Sequence, residues 1–416
     1  MIEFFRLQTR AEVLALYPRF SRVGAEEVGL DDALGRVLAG PVAAPEAVPQ
    51  FQRSTMDGYA VCARDTFGAS VGAPQYLEIK GEVLMGAAPV RPLLPGEAFR
   101  VPTGAMLPEG ADAVVMVEYT AEHPDLTLEV RRAVAPGENL LAPGEDVPAG
   151  KLLFDAGARL RPQDLGLLAA LGITHLKAYR RPRVAILSSG DEIVPVARQP
   201  GPGQVRDANA HLAAAQVREG GGLPLLLGII PDDFGALRAA LAAAINDADL
   251  VLISGGSSVG ARDLTLAAIR DLPASEVLVH GVAIRPGKPT ILAAVGLGSG
   301  SGARPLLGLP GHPASAAVVM EVLGRPLLAH LSGLEATPPW GRTVTAALSR
   351  NLAGASGRED YVRVRLRPEG ETLWAEPVLG PSGLISPLVN SDGLVMIPLG
   401  LEGLLKGEAV EVRLFQ

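Results

Sequence analysis

The chain has 416 residues, 48% of them apolar, enough for roughly two to four compact cores rather than one. A net charge of −8 and an aromatic content of 4% argue against a nucleic-acid partner, because both the attracting field and the base-stacking platform are missing. One cysteine, Cys62, excludes an internal disulfide and a multi-cysteine zinc site, and six dispersed histidines form no close metal-ligand pair.

The first twenty residues are charged and hold no long apolar run, so no secretory signal is visible. Uncharged stretches such as 305–320 fall short of the ~20 residues of a membrane span. A cytoplasmic protein without a membrane partner is expected. Thr9-Arg-Ala-Glu12 has the form of a capping box and predicts a helix to about Arg19. A second short helix is expected over 31–39. Pro41, Pro45 and Pro49 then interrupt regular hydrogen bonding and mark a domain crossing. Short strand-like runs at 76–80, 113–117 and 126–130 predict a mainly β unit. Helical signals return over 159–172, where Pro162 suits a first turn and Gly172 a stop.

From 183 to 331, strands and helices alternate in the manner of an α/β layer, and the long crossovers predict a mostly parallel sheet. After Pro338, runs such as 361–366 and 409–414 predict a small terminal β unit. The expected division is an N-terminal helical segment (1–45), an inserted mainly β domain (46–144) and a second piece of the elongated α+β linker domain (145–180). An α/β domain (181–334) and a C-terminal β-barrel (335–416) follow.

Open parallel sheets bind ligands beyond the carboxyl ends of their strands, so the residues after each strand carry the chemistry. Those segments are Ser188-Ser-Gly-Asp-Glu192, Pro231-Asp-Asp233, Ser254-Gly-Gly-Ser-Ser-Val-Gly260, Arg285-Pro-Gly-Lys288 and Leu309-Pro-Gly-His-Pro313. The glycine-rich turn at 254–260 lets backbone N–H groups approach phosphate oxygens at a helix start. It is not a dinucleotide fingerprint, and the interval from Gly281 to Gly287 is one residue too long for a Walker A loop.

Lys288 is one of only five lysines beside 32 arginines, and its Pro-Gly-Lys-Pro setting suits contact with an oxyanion; a solvated turn is the competing reading. Asp207, Asp233 and Asp263 each precede an expected helix, so N-capping competes with chemistry there. Asp191, Glu192 and Asp232 have weaker capping alternatives. Acids beside phosphate donors call for a counter-charge, which makes Mg²⁺ with oxygen ligands the implied metal. Asp57 and Asp146 lie in turns, and His312 has no nucleophile beside it.

Together with Ser54-Thr-Met-Asp-Gly-Tyr-Ala60, Thr103-Gly-Ala105, Gly110-Ala-Asp112, Gly137-Glu-Asn139 and Gly144-Glu-Asp146, these segments resemble, in this order, the molybdopterin molybdotransferase family and the related gephyrin E domains. The likeness covers essentially the whole chain. It implies an elongated homodimer that inserts molybdate into adenylylated molybdopterin with Mg²⁺-dependent release of AMP. Asp57, Thr103 and Asp146 would complete the site from the partner subunit, while Glu192, Asp232 and Asp263 would bind metal or serve pyrophosphate cleavage.

Arg285 and Lys288 would neutralise phosphate or molybdate, and Pro310, Gly311 and Pro313 would shape the pocket. Ser189, Gly190, Ser254, Gly255, Gly256, Ser257, Ser258 and Gly260 would line the substrate site, and molybdopterin adenylyltransferase is a candidate partner. Three positions depart from the family pattern: Gly281 and Arg285 stand where relatives carry lysine, and His312 replaces an asparagine. Two other functions remain open at this point, an adenylyltransferase, which shares only the α/β domain, and a non-catalytic scaffold.

Overall fold

A computed structural model describes residues 7–255, 259–296, 302–334 and 342–415, without the side chains of 259–263. The chain divides into two compact units: residues 41–155 with 162–174, and the remainder.

In the larger unit, six strands lie in the order Leu223–Ile230, Arg183–Ser189, Leu250–Gly255, Arg304–Leu309, Ile291–Val295 and Ser275–His280. The first four are mutually parallel. Ile291–Val295 runs against both its neighbours, so it alone opposes the direction of the other five strands. The sheet is thus mostly parallel, as the crossover lengths predict. Its strands are apolar on both faces, which a sheet covered by helices on both sides requires.

Val184, Ile186, Leu250 and Leu252 pack with Ala213, Ala214 and Val217 of the helix Ala208–Glu219 and with Val318 and Val319. The alternate positions Ala185, Leu187, Val251 and Ile253 pack with Leu237, Leu241 and Ile245 of the helix Phe234–Asp247 and with Ile269. This two-residue alternation fixes the register, because a one-residue slip would exchange the two faces. The helical stretch Pro313–Leu331 is long and apolar enough to cross a membrane, but 78% of its most apolar window is buried inside the fold, as in a core helix.

The same unit ends in a closed β-barrel. Glu359–Glu369, Thr372–Pro377, Thr343–Leu348, Ala409–Leu414 and Gly393–Ile397 pair in turn, and the last pairs back to the first. Closure removes sheet edges, which otherwise template aggregation. Ile284–Arg285 adds to this barrel through Glu359–Asp360.

At the N-terminus the capping box forms: Glu12 N donates to Thr9 Oγ1 at 3.2 Å and Thr9 N to Glu12 Oε2 at 2.7 Å. The helix nevertheless stops at Leu14, and a 3₁₀ turn, Tyr17–Arg19, follows around Pro18, which lacks the N–H an α-helix needs. The helix expected over 31–39 shrinks to a 3₁₀ turn, Leu30–Asp32; Gly35, at φ +72°, takes a left-handed conformation that ends it. Ala25–Gly29 then pairs with His175–Tyr179, far away in sequence.

In the smaller unit, six strands pair in the order Ala113–Met116, Gly58–Val61, Glu97–Val101, Gln75–Glu82, Thr127–Val130 and Thr120–Glu122. Tyr59, Leu77, Ile79 and Leu128 fill one core of this sheet, and Ala60, Phe99 and Val114 another. The helix expected near 159–172 runs over Pro162–Ala170, with Pro162 in its first position and Gly172 just beyond, at φ +67°.

Candidate active site

Strand register sets the site of the larger unit. Ser189 stands opposite both Ile230 and Gly255, Ser254 opposite Leu309, Gly308 opposite Ile291, and Ile291 opposite His280. The five co-directional strands, which end at 189, 230, 255, 280 and 309, therefore all end along one edge, the carboxyl edge of the sheet. Sequence reasoning proposed that convergence, and the register delivers it.

Its best-defined contact joins Ser189 to Asp232: the Ser189 hydroxyl donates to Asp232 Oδ1 at 2.5 Å. Asp232 N in turn donates to Asp191 Oδ1 at 3.2 Å. Behind them the Ser188 and Ser254 hydroxyls lie 3.3 Å apart on neighbouring strands. Two glycines permit the close approach. A Cβ at Gly255 would stand 2.4 Å from the Ser189 carbonyl oxygen, and one at Gly190, which has φ +148°, would meet Glu192 Oε2 at 2.6 Å. Only glycine serves at those positions. The Glu192 carboxylate is thus folded back over Gly190.

Asp207 and Asp233 do cap helices, accepting from Ala210 N at 3.1 Å and Ala236 N at 2.8 Å. Asp263 is different. Its helix starts at Val259 and runs to Arg270, so Asp263 sits within the helix rather than in front of it, and the capping expectation fails there. Its side chain lies outside the described residues, as do Gly256, Ser257, Ser258 and the surroundings of Gly260.

Lys288 and Arg285 are both exposed on the loop between Ser275–His280 and Ile291–Val295. Arg285 already has a carboxylate: its Nη2 lies 2.6 Å from Oδ2 of Asp360, which is 1% exposed and also bound by Arg358. No carboxylate among the described residues pairs with Lys288. Gly287, at φ +121°, allows the loop its turn. Pro310 is buried, and Gly311 is held by Asn209, whose Nδ2 donates to the Gly311 carbonyl at 2.8 Å. Pro313 opens the helix that follows. His312 is exposed, and its Nδ1 lies 2.9 Å from the Ser382 hydroxyl.

Sequence reasoning missed Asn209, which holds Gly311, and Arg363, on the barrel strand Glu359–Glu369. Asn209 Oδ1 and Arg363 Nη1 are both buried without a hydrogen-bond partner, although the other end of each is anchored. Asn209 follows the capping Asp207 closely, and that spacing was the only signal available. Arg363 has none, since it lies on a barrel strand rich in arginine.

In the smaller unit Asp57 and Thr103 meet. Thr103 N donates to Asp57 Oδ1 at 2.7 Å and its hydroxyl at 3.0 Å, and the backbone donor first, then the hydroxyl, holds the Asp57 carboxyl below the usual range. The turn is built from both sides: Ser54 N bonds the Ala105 carbonyl, and Thr55 N the Asn139 carbonyl. Asp146 is exposed on a separate turn, its N–H bonded to the Val48 carbonyl.

Mg²⁺ characteristically keeps several waters and takes one or two carboxylates plus substrate phosphates. Asp191 and Asp232 each retain an oxygen that no donor among the described residues engages, so the pair fits that demand. No larger group of His, Cys, Asp or Glu able to hold a metal occurs among the described residues.

A three-layer α/β domain with paired carboxylates along the carboxyl edge of its sheet, carried in a chain with two β units, defines a multidomain protein with its candidate ligand site at that edge. Family models agree segment by segment: the MoeA N-terminal region (domain I and II) over residues 7–172, the "Probable molybdopterin binding domain" over 185–330, and the MoeA C-terminal region (domain IV) over 345–415. The molybdopterin molybdenumtransferase of Bacillus subtilis is 34% identical over 402 residues, covering 95% of this chain and 91% of the relative. That of Haemophilus influenzae is 33% identical over 413 residues, 98% of each. The crystal structure of a molybdopterin biosynthesis protein from Pyrococcus horikoshii matches with TM-score 0.84 and 30% identity, over 99% of this chain and 100% of that one. The chain belongs to the MoeA family of molybdopterin molybdenumtransferases.

Proposed function

We propose that the protein inserts molybdate into adenylylated molybdopterin and releases AMP, with Mg²⁺ as cofactor, as the last step of molybdenum cofactor assembly. The observation that carries this reading is the Ser189–Asp232–Asp191 chain at the sheet edge, beside the Ser254–Gly255 turn. Cleaving a phosphoanhydride needs a positioned water and cations against developing oxygen charge, not a protein nucleophile. Asp232, fixed by the Ser189 hydroxyl, orients that water or the metal's water shell. Asp232, Asp191 or Glu192, together with the substrate phosphates, would hold Mg²⁺, which would supply positive charge against the phosphate oxygens. Lys288 supplies a compact positive charge for molybdate, with charge-assisted bonds worth about 1.5–3 kcal/mol each. Asp263, whose helix opens at the glycine-rich turn, belongs to the same metal or cleavage group. The backbone of Gly190, Gly255 and Gly256 and the hydroxyls of Ser254, Ser257 and Ser258 bind phosphate and pterin oxygens.

Full-length identity to curated transferases favours this reading over an adenylyltransferase, which matches the α/β domain alone. The proposal includes a cytoplasmic homodimer in which Asp57, Thr103 and Asp146 of one subunit complete the site of the other. It also includes delivery of substrate by an adenylyltransferase and the domain limits expected from sequence. Co-expression of Asp57→Asn and Asp232→Asn chains tests the shared site. Each variant alone is expected to be nearly inactive, and the mixed dimers to regain activity because one of their two sites is intact. Mixed dimers as inactive as the parents would show that the two carboxylates serve one and the same subunit's site, or none.

A further inference from the structure

A cavity of about 500 Å³ in the larger unit lies away from the sheet edge and is lined by residues of the N-terminal segment, the 179–182 turn and the helix Arg325–Leu331. Arginines dominate it, and no aspartate or glutamate lines it. Most of those arginines are already balanced from behind. Arg10 holds Glu359 at 3.0 Å, Arg36 is bonded to Glu26, and Arg180 forks onto Asp249 at 2.6 and 2.5 Å. Arg325 and Arg413 share Glu321, which is 2% exposed.

Arg159 and Arg181 differ. No carboxylate among the described residues pairs with either; Arg159 Nε donates only to the neutral Gly35 carbonyl, at 3.3 Å. Two guanidinium charges are therefore left at the cavity wall in a chain that is acidic overall. Gly35 and Gly221, both at positive φ, flank Arg159: a Cβ at either would stand in ordinary contact with its Nη2, at 3.7 and 4.0 Å. Leu14, Tyr17, Val37 and Tyr179 give the same cavity an apolar wall.

We propose that this cavity binds a small organic dianion of the phosphate-monoester class, its phosphate on Arg159 and Arg181 and its ring or chain against the tyrosines. The volume falls within the roughly 300–1,000 Å³ of small-molecule pockets and far exceeds what inorganic phosphate fills. Guanidinium forks match the planar, bidentate geometry of phosphate oxygens, which lysine would not.

Calorimetric titration of the full chain with phenyl phosphate tests this, with inorganic phosphate and phenylsulfonate as comparison probes. Phenyl phosphate is expected to bind once per chain and more tightly than either comparison probe. The Asp232→Asn chain, altered only at the sheet edge, should bind it unchanged. Arg159→Ala/Arg181→Ala should weaken it by roughly tenfold or more per guanidinium. Should the double variant melt early, Arg181→Glu alone, on an exposed side chain, reads the same loss. Equal binding by the arginine variants, loss of binding in Asp232→Asn, or no preference for phenyl phosphate over inorganic phosphate would each overturn the proposal.

Discussion

The sheet edge and the arginine cavity are both rich in charge, yet they are built in opposite ways. Among the described residues, carboxylates along the edge keep acceptor oxygens that no side chain engages, and Lys288 stands without a carboxylate. Around the cavity, five of the arginines are locked to carboxylates, some deeply buried. A charge already paired holds a fold together, whereas a charge left unpaired is available to a ligand. Burial makes the paired ones indispensable, because removing one partner strands the other in a medium that solvates it poorly.

The largest effect should therefore be structural. Glu321→Ala strips the shared partner from Arg325 and Arg413 and is expected to destabilise the fold by about 3–5 kcal/mol, read as an early calorimetric transition. A variant that melts like the parent would place the stabilising role elsewhere. Asp232→Asn should do the reverse, leaving the melting temperature within error while AMP release falls by roughly 10²–10³-fold, the scale of losing a preorganised polar group at a reacting centre. Early melting instead of lost turnover would assign Asp232 to the loop's architecture.

Lys288→Ala should raise the molybdate concentration needed for half-maximal rate by roughly tenfold to a hundredfold, as for one charge-assisted bond. An unchanged molybdate dependence would leave Lys288 a solvated turn residue.

The smallest effect concerns acid. Burial alone would raise the Asp249 carboxyl, but the Arg180 fork and the Arg183 N–H outweigh it and hold the group below its ordinary value of 3.8. A depressed carboxylate stabilises the fold above its unfolded pKa, and that contribution fades as pH falls through the folded value. Asp249→Asn should thus flatten the loss of stability below about pH 4. An acid limb as steep as the parent's would mean that other carboxylates govern it.

The αβα layers were legible because their strands alternate between two helix-covered faces and their crossovers are long. The carboxyl-edge loops followed from that topology, and a terminal β unit, though not its closure into a barrel, from the strand-like runs after Pro338. The helix limits near residues 19 and 39 were not, since Pro18 and a left-handed Gly35 override the local pattern. Asp263 looked like a cap because the glycine-rich turn was taken to run further than it does. Arg363 and the arginine cavity carry no local signature at all, and Asn209 carries only its closeness to the capping Asp207. They depend on tertiary contacts that bring residues 10, 159, 180 and 325 to one wall.

The most direct test is a discontinuous assay of AMP released from adenylylated molybdopterin by the purified chain, with and without Mg²⁺ and molybdate. AMP and molybdenum cofactor should appear together when both are present, and Asp232→Asn should yield neither. No AMP from the parent chain, or equal release by the variant, would contradict the assignment of the sheet edge as the catalytic site.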